Sequence, residues 1–183
     1  RKAGKTVDLT LNGSFTNNRV ETNATEALGG ALYSEGMITL GNNTVFSGNS
    51  ATSTTGKAFG GAIYNTADAT LKISNAVFSG NYTDNAGISD PNAFYIDKTS
   101  VVFSVRGNGI YIFDDNIRGS GYALFFNGGG SGIFRLNNTV YNASKIIVRE
   151  GVLQLRQGPY GRGGFSAAAG LSLTAARLDM HNG

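Results

Sequence analysis

Short runs of alternating apolar and polar residues, each closed by Gly, Asn or Asp, recur along the chain. The first is Thr6-Val7-Asp8-Leu9-Thr10-Leu11. A period of two puts alternate side chains on one face, so each run predicts a half-buried strand. The runs come in sets. Residues 31–33, 37–40 and 44–46 form one set, and 62–64, 70–73 and 76–78 repeat it in the same order. Further runs follow at 146–148, 152–155, 171–174 and 177–180, while long helical stretches are hard to find.

Two signatures accompany each set. Gly29-Gly30-Ala31-Leu32-Tyr33 is followed by Phe46-Ser47-Gly48-Asn49, and Gly60-Gly61-Ala62-Ile63-Tyr64 by Phe78-Ser79-Gly80-Asn81. An eroded copy, Asn92-Ala93-Phe94-Tyr95, leads to Phe113-Asp114-Asp115-Asn116, and an echo stands at Tyr122-Ala123-Leu124-Phe125. The alanines at 31, 62, 93 and 123 are separated by 31, 31 and 30 residues. A fixed period of this size marks a stacked array rather than one central core. The expected fold is all-β: a right-handed three-sided parallel β-helix with coils of roughly 30 residues. Its coils carry the signatures through residues 1–144 and continue without them through 145–183.

Stacking assigns roles to the repeated residues. Phe15, Phe46, Phe78 and Phe113 are expected to form an internal aromatic ladder, each burial contributing about 1.5–3 kcal/mol. Asn18, Asn49, Asn81 and Asn116 fall at a corner, where Asn tolerates left-handed backbone and bonds its neighbour. The Gly-Gly pairs let the chain turn tightly into the next strand. Residues 19–28, 50–59 and 82–91 then become loops stacked on one side.

Composition narrows the function classes. The chain is 40% hydrophobic and 15% charged, with net charge +3 and no dense Lys/Arg cluster, so a nucleic-acid partner is not expected. Without cysteine there is no disulfide framework or thiolate metal site. No apolar run approaches the ~18 residues of a membrane span. The opening Arg1-Lys2 suggests an excised or processed piece. Neither metal nor cofactor is expected, and Gly128-Gly129-Gly130-Ser131-Gly132 lacks a phosphate-loop lysine. Asp114-Asp115 is the only adjacent acidic pair, and the sole histidine, His181, has no evident catalytic partner. Asp84, Asp90 and Asp97 could gather at one corner as a carbohydrate or Ca²⁺ site, though their spacing matches no calcium loop.

Pairing Gly-Gly-Ala-[Ile/Leu] with Phe-x-x-Asn resembles the repeat of the polymorphic outer membrane proteins best known from chlamydiae, and of related autotransporter passengers. Residues 145–155, with their Arg-Glu-Gly turn, followed by a Gly-rich turn and 171–180, resemble the passenger-associated repeat of such proteins. The lack of cysteine departs from many chlamydial members. The resemblance implies a passenger on the extracellular side of a Gram-negative outer membrane, or one released after cleavage. The C-terminal β-barrel translocator that carries such passengers is absent from this chain. It further implies an adhesin for host-cell or cell-cell attachment, whose partner is a host-cell surface protein or glycan.

The stacking roles make Gly29, Gly30, Ala31, Phe46, Asn49, Gly60, Gly61, Ala62, Phe78 and Asn81 scaffold. Partner contact is expected on the loops, at Thr52, Thr54, Lys57 and Asp84. No enzyme is expected. A folding spacer for secretion and a β-helical polysaccharide-active enzyme are the alternatives.

Overall fold

The computed structural model describes residues 9–66, 71–97, 99–105, 108–166 and 170–180. Residues 6–8 of the first expected strand, residue 70 and His181 lie outside them. Every named element among the described residues is a strand, and successive strands return to the same rows. Row one stacks Leu9–Leu11, Ile38–Leu40, Leu71–Ser74, Ser100–Ser104, Tyr122–Asn127 and the first half of Ala143–Leu155, all parallel. Row two stacks Ser14–Thr16, Val45–Ser47, Val77–Ser79, Ile110–Phe113, Ile133–Leu136 and the second half of Ala143–Leu155, again parallel. That long strand bends at Glu150 (φ 60°) and Gly151 (φ 77°), joining both rows into one 12-stranded sheet. Gly170–Met180 pairs along both of its halves.

Row three stacks Leu32–Ser34, Ile63–Asn65, the latter part of Ile88–Asp97, Asn116–Ser120, Thr139–Tyr141 and Gly164–Ser166. The chain visits rows three, one and two in turn, and this arrangement is compatible with a β-helix. A division at 144/145 lies inside Ala143–Leu155, through which pairing continues.

Pairing in register turns period-two alternation into columns of like side chains. Leu11, Leu40, Ile73, Phe103, Phe126 and Val148 form one column in row one. In row two the expected phenylalanine ladder is present: Phe15–Phe46, Phe46–Phe78 and Phe78–Phe113 stack with centroids 4.7, 5.2 and 6.5 Å apart. Leu136, Leu155 and Met180 prolong it. The core therefore runs lengthwise, and each row is held by its neighbours.

The loops expected at one corner are ordered side arms. Arg19–Thr22, Ser50–Ser53 and Tyr82–Asn85 pair in parallel, as do Glu26–Leu28 and Lys57–Phe59. The third arm departs from this plan. It turns at Ala86-Gly87 and returns antiparallel, matching Tyr82 with Pro91 and Asn85 with Ile88.

Beyond residue 91 the side arm is lost, and the spacing between stacked positions falls from 31–32 residues to 19–25. This change overturns two expectations. Ala123 does not continue the alanine series, because it pairs with Ser100 in row one, whereas the Ala93 segment belongs to row three. The fourth corner residue is Asp115 rather than Asn116: the asparagine ladder runs Asn18–Asn49–Asn81 and ends on the Asp115 carboxylate. Asn116 instead accepts from the Thr139 N–H at 3.0 Å.

Candidate functional site

The signature residues sit in the scaffold. Gly29 and Gly60 both have φ +65°, and a Cβ on either would collide with a carbonyl three residues ahead. Gly30 and Gly61 are required for a different reason. A Cβ on Gly30 would meet the Gly61 carbonyl and the Ser50 backbone, and one on Gly61 the Asn92 carbonyl and the Tyr82 backbone, where the second and third side arms leave the rows. Position 92 corresponds to Gly61 one rung on, no arm departs above it, and Asn92 carries a side chain there. Ala62, Phe46, Phe78, Asn49 and Asn81 are buried, and Ala31 is half-buried against the core.

The asparagines form a continuous polar line. Asn49 Oδ1 accepts from the N–H and Nδ2 of Asn18, and Asn49 Nδ2 donates to Asn81 Oδ1 and the Phe15 carbonyl. Asp115 closes the line as a pure acceptor. Burial pushes its carboxyl up to about 6, opposed by the hydrogen bonds from Asn81. Its neighbour Asp114 accepts from Asn137 Nδ2 at 2.7 Å. The acidic pair is thus divided between two structural tasks.

The expected contact residues separate. Thr54 and Lys57 are exposed, whereas Thr52 is buried, between Glu21 and Asp84 in register. Asp84 caps the third arm's turn by accepting from the Gly87 N–H at 2.7 Å. Asp84, Asp90 and Asp97 do not form one site. Asp90 pairs with Arg118, and no metal-holding group of three His, Cys, Asp or Glu occurs among the described residues.

Between the second and third arms and row three lies a groove of about 650 Å³, with Lys57, Phe59, Asn85, Asn92, Tyr95 and Arg118 in its lining. Arg118 donates to both oxygens of Asp90, at 2.7 and 3.0 Å, and its guanidinium lies 3.9 Å from the Tyr141 ring centroid. Asn85 Oδ1 accepts from the Ala58 N–H at 2.6 Å and ties the two arms together. Asn92 is 2% exposed, and its Oδ1 has no hydrogen-bond partner among the described residues.

Tyr33, Tyr64 and Tyr95 stack outside row three with centroids 5.5 and 5.4 Å apart, and Phe59 tilts 58° across Tyr95. Burial is the first cause raising the hydroxyl pKa values of Tyr64 and Tyr95, with Asp97 adding to it. Sequence reading missed Asp90, Asn92, Tyr95 and Arg118 as a group. The recurring Tyr that closes each Gly-Gly-Ala-x-Tyr run was its visible signal; the Asp90–Arg118 pair depends on the third arm's reversal and left no trace.

Among the described residues no helix is long and apolar enough to cross a membrane. In comparisons with family models, curated proteins and solved structures, nothing matches the chain.

Proposed function

We propose that this chain is an attachment passenger of the polymorphic outer membrane type. It would form a right-handed three-sided parallel β-helix displayed outside a Gram-negative outer membrane. The supporting observation is the division of labour between signature and arm. The Gly-Gly-Ala and Phe-x-x-Asn residues are held in backbone crossings and buried ladders, while the side arms project together from one corner. A rigid scaffold that presents adjacent loops suits recognition of a host-cell protein or glycan.

The same placement favours a binding role over catalysis. Asp115 is committed to the asparagine line and Asp114 to Asn137, which leaves that pair without the free acid and base of glycoside chemistry.

Beads coated with the folded chain should adhere to epithelial cells, and beads carrying a variant with the three arms replaced by Gly/Ser should not. Circular dichroism must show both proteins β-rich. Equal adhesion of the two would remove the arms from the contact; no adhesion by the folded parent would leave the chain as a scaffold for receptor-binding coils elsewhere.

A further inference from the structure

The groove between the arms has a chemistry of its own. Its strongest charges cancel, because Asp90 and Arg118 are paired in a two-point contact. Lys57, the other cation in its lining among the described residues, lies opposite Glu26 in the parallel pairing of the arm strands. A polyanion would find no basic cluster here. An extended peptide is also poorly served: the Lys57–Phe59 strand lines the groove, and its central N–H, on Ala58, is already taken by Asn85.

What the lining offers is a set of planar groups that donate and accept in pairs, beside an aromatic facet. The tyrosine rings face one another, so the stack turns mainly edges and hydroxyls outward. Phe59, tilted across Tyr95 with centroids 4.5 Å apart, breaks that pattern. Arg118 is fixed between Asp90 and Tyr141, so little ordering remains to be done when a ligand arrives.

We infer that this groove binds a neutral oligosaccharide, one ring packed against Phe59 and Tyr95 and its hydroxyls shared between Asp90 and Arg118. The ligand gives the attachment reading its chemical target and rests on that reading for its setting.

The test is calorimetry of the full chain with neutral glucan, galactan and N-acetylhexosamine tetrasaccharides, beside a heparin hexasaccharide and an extended decapeptide. Two variants accompany it. Arg118→Lys removes the two-point contact with Asp90, and Ile88→Trp obstructs the groove from a position 73% exposed, where the fold tolerates bulk. Binding of at least one neutral tetrasaccharide is expected, weakened about tenfold or more in both variants. The inference is overturned if no neutral tetrasaccharide binds, if both variants bind as the parent does, or if only heparin or the peptide binds. Cell adhesion of coated beads separates the two readings. Adhesion without saccharide binding removes the groove and keeps the passenger, whereas saccharide binding without adhesion does the reverse.

Discussion

Asn81 donates from both its backbone N–H and its Nδ2 to a single oxygen of Asp115, at 2.9 and 2.7 Å. The other carboxylate oxygen is buried and accepts no hydrogen bond among the described residues. Asp115 thus ends a line of amides with a group that is easier to protonate in the folded chain than in the unfolded one.

This predicts a pH dependence. With its pKa raised to about 6 by burial, the folded state binds more protons than the unfolded state between the ordinary carboxyl value and about 6. The stability this group contributes is complete below the ordinary value and is lost as pH rises through about 6. The loss amounts to ~3 kcal/mol. Asp115→Asn should raise the urea midpoint at pH 7.5 and flatten its decline between about pH 4 and 6.5. An unchanged slope in the variant would place the titration elsewhere.

The inner rungs of the amide line should matter more than its exposed end. Asn49→Ala deletes a fully buried side chain and strands donors of Asn18, so it should cost ~2–4 kcal/mol. Asn18→Ala, at an exposed position, should cost under ~1 kcal/mol. Equilibrium unfolding in urea checks the order.

Glycine positions should divide by what lies over them. Gly61→Ala drives a Cβ into the Tyr82 and Asn92 backbones and should destabilise by ~1–3 kcal/mol. Gly164→Ala meets nothing within 4 Å and should be neutral or slightly stabilising, because it restricts the unfolded chain. Thermal unfolding of the two variants gives the comparison directly.

Within row two, inner and outer faces should respond differently. Phe46→Ala opens a gap between Phe15 and Phe78 and should cost ~3–5 kcal/mol. Val77→Ala, at a position 49% exposed, should stay within about 0.5 kcal/mol of the parent. Similar losses at both would mean that the phenylalanines do not form the core.

The phenylalanine ladder and the strand sets were legible because in-register stacking repeats the same demand at every rung, so like residues recur at a fixed interval. The Asn18–Asn49–Asn81 line was legible for the same reason. Asp115 was misassigned because only one residue separates it from Phe113, where two separate Phe46 from Asn49 and Phe78 from Asn81. Matching letters then selected Asn116, one position beyond the true corner. The groove was less legible still. Arg118 meets Asp90 across 28 residues, through an arm that doubles back, and no periodic pattern encodes that contact.

The loss of the side arm leaves the lengthwise core columns unbroken: Phe78 pairs with Phe113, and Phe113 with Leu136, as though nothing had been removed. The corner after each Asn is accordingly a splice port. A segment that leaves and re-enters at that corner can be exchanged there without the interior registering the change, provided that a glycine lies beneath its point of departure. Scaffold and surface can therefore diversify at independent rates within one polypeptide.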